Sequence, residues 1–227
     1  MNYEFDFSFL AEYWPMLVKG AVLTAQLSIL ATILGFLVGT LCAVASTGRS
    51  WIASAIVGAY VEIIRNTPLL VQLFVVFFGL SSLGLKLSAT TSAVIGLTIN
   101  IGAYSSEIIR AGITSINRGQ VEAADCLALT RWQVMMTVIL PSAIEKVYPA
   151  LTSQYVLLML GTSIASQISS EELTAAASRI QSDTFRSFEV FIVVAALYLA
   201  LSFLMRGLFW LVGQFAFPRR RRLGTSL

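Results

Sequence analysis

The chain has 227 residues, of which 57% are hydrophobic and only 12% charged, a composition that excludes an ordinary soluble protein and indicates an integral membrane bundle. It contains no histidine and so lacks the commonest general base and metal ligand; we expect neither a catalytic nor a metal site. The formal net charge of +3 includes Arg219, Arg220, Arg221 and Arg222, a cluster typical of a cytoplasmic flank rather than a nucleic-acid-binding patch.

The first two predicted spans differ in polarity. Residues 20–46 contain no charged residue, and their small side chains permit close helix approach. Residues 53–79 contain Glu62, Arg65 and Pro68. Because lipid does not tolerate exposed charges, we expect the second span to face protein, with a kink or break near Pro68.

Three further spans are predicted at residues 87–109, 142–166 and 188–213, which makes one all-α membrane domain of about five transmembrane helices. Between the last two spans, residues 171–189 carry charges of both signs. This stretch is either a short amphipathic helix across one mouth of the bundle or a solvated loop. The longest polar segment is the loop at residues 111–140.

The distribution of basic residues predicts the orientation. Five spans place the termini on opposite sides of the membrane. With the N-terminus outside, nine basic residues fall in cytoplasmic segments and four in outer segments. The nine are Arg49, Arg110, Arg118, Arg131, Arg206 and Arg219 to Arg222; the four are Lys19, Lys86, Arg179 and Arg186. The positive-inside rule therefore predicts an inner-membrane protein with a periplasmic N-terminus, a cytoplasmic C-terminus and a cytoplasmic loop 111–140.

The cytoplasmic loop has the pattern of two short helices. The first begins near Gly119, and Thr130 and Gln133 have the spacing of a capping box that starts the second. We expect the second helix to end at Leu140, because Pro141 follows. Such a helix-turn-helix is compatible with a purely structural bend between two spans. DNA binding is disfavoured, because the loop has few basic residues and is connected at both ends to membrane spans.

A family resemblance gives this loop a role. Glu122-Ala123-Ala124, followed by Val138-Ile139-Leu140-Pro141, resembles the EAA loop of ABC importer permeases of type I fold. Residues 65–74 and 103–113 are similar to signatures of the subgroup for polar amino acids, and the resemblance extends from Trp14 to Ala216. In that family the loop docks in a groove of an ATPase subunit. The resemblance assigns to ATPase coupling Gly119, Glu122, Ala123, Ala124, Ala128, Leu140 and Pro141.

The resemblance also implies the partners: two permease subunits, two ATPase subunits and an extracytoplasmic binding protein that delivers a polar amino acid. The sequence contains no Gly-x-x-x-x-Gly-Lys-Ser/Thr motif. We therefore expect ATP and magnesium to bind to the partner ATPase and this chain not to be an enzyme.

Ala128 stands where the family usually has glycine, at a left-handed turn that ends the first loop helix. A residue with a side chain pays about 1 to 2 kcal/mol in that conformation. Either Ala128 bears this cost, or the turn is built differently.

Polar side chains at membrane depth usually face a cavity or a partner, so they are candidates for the solute path. They are Glu62, Arg65, Gln72, Asn100 and Tyr104, and the family resemblance adds Thr162 and Ser163. Glu62 and Arg65 also have the spacing of a structural ion pair. The deeper Gln72, Asn100 and Tyr104 either contact the substrate or hydrogen-bond between helices. Glu107 and Arg110 are interpreted as a brace at the loop.

Residues 160–164, Leu-Gly-Thr-Ser-Ile, depart from the family pattern of Lys, then Asp or Asn, Thr or Ser, Ser and Leu. Only Thr162 and Ser163 match it. Either the substrate is met by backbone and uncharged side chains, or the binding residues belong to a second permease. We favour a paralogous second permease over an identical copy.

Two other classes of function were considered. An ion-coupled secondary transporter or channel subunit would carry acidic residues at the membrane midplane, but Glu62 and Glu107 fall near the ends of spans. A membrane enzyme is disfavoured by the missing histidines and the lack of a nucleophile motif. The sequence therefore favours an ABC permease.

Overall fold

The computed structural model describes residues 5–217, which form an all-α fold, as the sequence predicted. The cluster Arg219 to Arg222 lies outside the described residues. Within 5–217 we number eight helices, two of which combine shorter consecutive segments. They are α1 Leu10–Thr47, α2 Trp51–Arg65, α3 Leu69–Ser82, α4 Ala89–Thr114, α5 Arg118–Cys126, α6 Arg131–Ile168, α7 Leu173–Thr184 and α8 Ser187–Ala216.

Four of these helices, α1, α4, α6 and α8, are long and apolar enough to cross a membrane, and α2 with α3 makes a fifth span if the bent pair is counted as one. The axes of α2 and α3 differ by 109° across a short break that ends at Pro68. Proline has no N–H to donate and disfavours a helical residue before it, which accounts for the interruption. The predicted span at residues 53–79 is therefore a broken helix.

Within the single chain the second span is buried at Gln72 and Leu73 of α3 but only at Val61 of α2, so the expectation that it faces protein stays a prediction. Of the residues in α2, only Val61 is buried, and Ile56 and Ile63 are more than half exposed. Helix α2 packs against α1 and α4 along a narrow face and leaves the rest of its surface open.

Among residues 5–217, the contact between α1 and α4 is the most extensive contact between two helices. Small buried residues recur on the α1 face, which allows this close approach. They are Ser28, Ala31, Gly35, Gly39 and Ala43. A Cβ on Gly39 would lie 2.5 Å from Cβ of Ser105 and 2.9 Å from the carbonyl oxygen of Gly102, so only glycine fits there.

Helix α6 does not end at Pro141, contrary to the sequence prediction. It continues as one helix from the loop at residues 111–140 into the fourth predicted span. A π-helical turn over Val134–Ile139 directly precedes the proline, and the Leu140 N–H donates to the carbonyl of Met135, five residues back. The widened turn makes room for the proline ring, whose clash with the preceding turn would otherwise break the helix.

The polar stretch between the last two spans contains a helix, the first of the two alternatives. Helix α7 spans Leu173–Thr184 and buries four apolar residues on one side. Its C-terminus is closed by Phe185 in a left-handed conformation. At the start of α8, Arg186 pairs with Asp6 at 2.6 Å, which ties the N-terminal segment to the same end of the bundle.

Candidate functional site

The break between α2 and α3 is held by the buried side chain of Gln72. Its Nε2 donates to the carbonyl oxygens of Ile64 at 2.7 Å and Thr67 at 3.0 Å, and to Oγ1 of Thr67 at 2.9 Å. Its Oε1 accepts a hydrogen bond from Nδ2 of Asn100 at 2.9 Å. One amide therefore joins the end of α2, the start of α3 and the middle of α4. Because both ends of the Gln72 amide are hydrogen-bonded within the protein, Gln72 stabilises the break and is not a free ligand for the substrate.

Arg65 and Glu62 lie beside this break but do not form the predicted ion pair. In the described structure the Glu62 carboxylate accepts from Nδ2 of Asn66 at 2.8 Å instead, at the capped end of α2. The Arg65 guanidinium lies 5.5 Å from the centroid of the Tyr104 ring, a cation–π arrangement. Arg65 thus presents an exposed positive group beside Asn100, Tyr104 and the broken helix.

Thr162 and Ser163 open the last, tighter turns of α6. The Thr162 hydroxyl donates to the carbonyl of Met159 at 2.7 Å, and that of Ser163 to the carbonyl of Leu160 at 2.8 Å. This end of α6 packs against α3, where a Cβ on Gly161 would lie 3.5 Å from Leu69. The seven predicted path residues therefore fall in two adjoining places, the break and the end of α6.

Glu107 and Arg110 form a two-pronged ion pair at the loop end of α4. Arg110 Nη2 lies 2.6 Å from Oε1 of Glu107, and its Nε donates to Oε2 at 2.9 Å. The pair braces the last turns of α4 before the loop at residues 111–140, as the sequence indicated.

The loop at residues 111–140 folds into an elbow made of α5 and the start of α6. Its capping box is present: the Thr130 N–H donates to Oε1 of Gln133 at 2.8 Å, and the Gln133 N–H donates to Oγ1 of Thr130 at 3.4 Å. Helix α5 begins at Arg118, one residue before the predicted Gly119, because the Asn117 side chain accepts from the Gly119 N–H at 2.9 Å.

The elbow presents one face outward. Glu122 and Ala123 are exposed, whereas Ala124 is 4% exposed and faces the π-helical turn of α6. Two large apolar side chains are also exposed on the elbow, Leu127 at 75% and Trp132 at 63%. Sequence reasoning missed both, although a tryptophan in a polar loop outside the membrane is a signal of a contact surface.

Ala128 bears the conformational cost that the sequence left open, because its φ is 56°. The Leu129 N–H donates to the carbonyl of Ala124 at 3.4 Å and the Ala128 N–H to that of Asp125 at 2.9 Å, which closes α5 in a glycine-type turn.

Ala128→Gly is expected to stabilise the elbow by about 1 kcal/mol, since glycine adopts this conformation without strain. Hydrogen exchange of the α5 amides in the purified complex measures the change. Ala123→Gly, in the helical part of α5, is the matched control and should destabilise by a similar amount. Equal exchange in both variants would contradict the left-handed turn.

A buried acid at the other end of the bundle was not anticipated. Glu172 is completely buried, and its carboxylate accepts from the Tyr198 hydroxyl at 2.7 Å, the Thr174 N–H at 3.0 Å and the Ala175 N–H at 3.0 Å. The Thr24 hydroxyl lies 3.4 Å away and accepts from the Leu173 N–H at 3.2 Å.

This group, which we call the Glu172 joint, connects α1, α7 and α8. Burial raises the pKa of Glu172 above its ordinary value, although the four donors favour the charged form. A Cβ on Gly20 would lie 2.9 Å from Cα of Leu173, so the backbones of α1 and α7 touch there. The sequence showed two adjacent acids, Glu171 and Glu172, and no local signal distinguishes the buried one.

The chain matches a family model described as "Binding-protein-dependent transport system inner membrane component" over residues 13–215. It is 36% identical over 211 residues to the glutamine transport system permease protein GlnP of Escherichia coli (strain K12), covering 90% of this chain and 96% of that protein. It is 34% identical over 232 residues to the nopaline transport system permease protein NocM of Agrobacterium fabrum, covering 97% of this chain and 96% of that protein.

Two solved structures are similar in fold. A crystal structure of an amino acid ABC transporter with histidines has a chain 36% identical to this one, with a TM-score of 0.83 and coverage of 93% of this chain and 99% of that chain. A chain of the inward-facing MetNI methionine ABC transporter is 20% identical to this one. Its TM-score is 0.73, and the match covers 88% of this chain and 96% of that chain. At 20% identity the second likeness shows the fold alone.

Proposed function

This chain belongs to the family of binding-protein-dependent transport system inner membrane components, and from that premise we propose that it is the permease subunit of an ATP-driven ABC importer for a polar amino acid. The observation that carries the proposal is the exposed elbow on an otherwise membrane-embedded chain. A short helix exposes Glu122 and Ala123, and Leu127 and Trp132 are exposed on the same elbow. Exposed apolar side chains of this size indicate a contact surface for another protein. ATP and magnesium belong to that partner, the ATPase.

Reconstitution tests the function directly. The permease, its ATPase and its binding protein are placed in vesicles, and uptake of labelled glutamine, histidine, arginine and glutamate is measured with ATP on the ATPase side. Uptake should require ATP and the binding protein. Uptake driven by a proton or sodium gradient without ATP would instead support the alternative, an ion-coupled transporter.

The substrate class follows from the polar break. A free amino acid carries one carboxylate and one ammonium, and burying either without a partner is costly. Arg65 supplies a guanidinium for the carboxylate, while Asn100 and Tyr104 supply uncharged polar groups on the adjacent face of α4. Gln72 keeps these groups in place by holding the break.

Arg65→Met is expected to weaken binding of the amino acid to the purified complex by about tenfold to a hundredfold, the usual effect of losing a hydrogen-bonded charge. Equilibrium binding of labelled substrate without the binding protein measures it. Glu62→Gln is the matched control and should change affinity less than twofold, because the Glu62 carboxylate is engaged by Asn66. Unchanged binding in Arg65→Met would remove Arg65 from the path.

We favour a second, paralogous permease as the partner in the membrane. Gly161 offers no side chain, and the hydroxyl protons of Thr162 and Ser163 are used within α6. This half of the path is therefore poor in free polar groups. A complex of this permease with the ATPase alone should show little substrate-stimulated ATP hydrolysis, and adding the paralogue should restore it. Full transport with this permease as the sole membrane subunit would disprove the heterodimer.

The proposed orientation places the N-terminus in the periplasm and the elbow in the cytoplasm. Its support is the asymmetry of basic residues, nine against four. A reporter that is active only in the cytoplasm should work when fused after Arg222. Activity of a periplasm-specific reporter at the same position would overturn the orientation and the coupling role of the elbow with it.

A further inference from the structure

A groove runs along the side of the bundle between α6 and α8. Its volume is about 700 Å³, and its lining is mainly apolar, with Leu157 and Leu160 from α6 and Leu199 and Phe203 from α8. These four side chains are all exposed. Of the four long spans, α6 and α8 are the least buried within the chain. The groove is therefore an open face of the subunit and not part of its core.

One charged group lies in this groove. Arg206 is exposed there and makes no hydrogen bond or ion pair among residues 5–217. The hydroxyls of Ser153 and Ser202, which also line the groove, have no hydrogen-bond partner in that range either. Arg206 is ten residues before the end of α8, inside the span. Arginines at membrane depth are rare and usually pair with an acidic group, so the charge of Arg206 selects an anionic partner for this groove.

Neither a free amino acid nor a lipid matches the groove. Among residues 5–217 no acidic side chain lines it, so the ammonium of an amino acid would have no counter-charge. A lipid phosphate lies at the membrane surface, whereas the side chain of Arg206 leaves α8 toward its N-terminal end, away from the nearer surface. A protein helix with an acid at a similar depth satisfies both the charge and the apolar lining.

Helix α2 carries such an acid on an open side. Ser54, Gly58 and Glu62 are exposed and follow one another at intervals of four residues, so they lie on one side of the helix. A Cβ on Gly58 would meet no atom within 4 Å, and small residues let membrane helices approach closely. Glu62 accepts a hydrogen bond from Asn66 at Oε1 only, which leaves its second carboxylate oxygen for another donor. This side of α2 therefore complements the groove in charge and in shape.

The two charged groups lie at similar depths in the membrane, measured along α1. Tyr60, two residues before the acid, and Val38 of α1 both lie within 3.0 Å of a Cβ placed on Gly102. Met205, next to the arginine, lines the same pocket as Ile33 of α1. The two charges therefore differ in depth by about 8 Å at the rise of an α-helix. The long side chain of an arginine covers a difference of this size.

We propose that the groove between α6 and α8 receives α2 of a second permease subunit. Arg206 pairs with Glu62 of the partner subunit, or with the acid at the same position if the second permease is a paralogue. Each subunit presents both the groove and α2, so a two-fold axis makes the contact twice. The proposal rests on the proposed function for the identity of the partner, and it gives the exposed α2 the protein contact that its polarity predicts.

Co-purification of the two permeases tests the pairing. Both are expressed with the ATPase, each with its own tag, and the recovery of one permease with the other is measured. Arg206→Glu should lower this recovery about tenfold or more, because two like charges then meet in a desolvated interface. Replacing the acid at the Glu62 position of the second permease with arginine should restore it. If the second permease is an identical copy, the double variant Arg206→Glu with Glu62→Arg restores it. A misfolded subunit would not be rescued in this way.

A second pair of variants tests the groove itself. Ser202→Trp fills the groove and should also lower the recovery of the second permease, although Arg206 remains. Leu204→Trp is the matched control, because Leu204 is exposed on α8 outside the groove. It should assemble normally.

Four results would overturn the proposal. A second permease without an acid at the Glu62 position removes the charge partner. Normal recovery in both Arg206→Glu and Ser202→Trp shows that the groove is not the contact. A defect in Arg206→Glu that the reversed acid does not restore assigns the arginine to another anion. Normal recovery with loss of bound phospholipid or of bound substrate assigns the groove to that ligand.

ATP-driven uptake by the wild-type complex is measured in parallel. If uptake is intact and any of these four results is found, this contact is lost and the proposed function stands. If the two permeases pair as expected and uptake does not require ATP, the proposed function fails and the contact stands.

Discussion

A Glu122→Lys permease should reach the membrane in normal amount and lose ATP-driven uptake by about tenfold or more. Glu122 is exposed on α5 and makes no hydrogen bond or ion pair among residues 5–217, so its replacement leaves the fold intact. The effect must then arise at the partner, where a reversed charge in a docked interface costs about 2 kcal/mol or more. Vesicle uptake and co-purification of the ATPase measure it.

Two further variants separate charge from position. Glu122→Gln removes the charge without reversing it and should retain most of the uptake. Gln120→Lys adds the same positive charge on a different side of α5 and should transport normally. A Glu122→Lys variant that transports normally and still co-purifies with its ATPase would eliminate the coupling role of the elbow.

The structure decides which bulky substitution tests docking. Ala124 belongs to the motif that the family resemblance assigns to ATPase coupling, but it is buried within the elbow. Ala124→Leu should instead destabilise the elbow itself by about 1 to 3 kcal/mol through overpacking. Ala123→Trp, on the exposed face, is the variant that tests docking, because it leaves the interior of the elbow unchanged.

Local signals in the sequence predicted the features that local physics determines. A charge-free apolar run located α4, a long apolar run that contains Arg206 located α8, the Thr130 and Gln133 pair located the start of α6, and Pro68 located the break in the second span. Each depends on neighbouring residues alone: hydrophobic length, one capping box and one missing backbone donor.

Features that depend on distant contacts were not predicted. One local feature was also not predicted: Pro141 lies within a continuous helix because the preceding turn widens. For Gln72 the sequence left hydrogen bonding between helices open as one of two alternatives, but it did not identify its partners, the end of α2 and Asn100. The burial of Glu172 depends on Thr24 and Tyr198, which are 148 and 26 residues away in the chain. No local pattern contains such pairings.

Glu172→Ala should destabilise the permease more than any other substitution considered, by about 3 to 5 kcal/mol. The change leaves a buried threonine hydroxyl and two helix N–H groups without the carboxylate that accepts from them, and it leaves the half-buried Tyr198 hydroxyl with Thr174 alone. The expected result is detachment of α7 from α1 and α8, seen as a lower melting temperature and a lower yield of assembled complex. Glu171→Gln is the matched control. Its side chain is 75% exposed in a pair with Lys19 at 3.5 Å, so the change should be nearly neutral.

The pH dependence of stability tests the same joint independently. Burial raises the pKa of Glu172 above its ordinary value of 4.5, so the folded protein holds this proton more tightly than the unfolded chain does. The contribution of Glu172 to stability is then greatest at acidic pH and falls as pH rises from 4.5 through the raised pKa. Glu172→Gln keeps the shape of the side chain but removes the titration, so its melting temperature should fall less over that range than that of the wild type. Parallel curves for the two proteins, together with a neutral Glu172→Ala, would show that the buried carboxyl does not hold α7 in place.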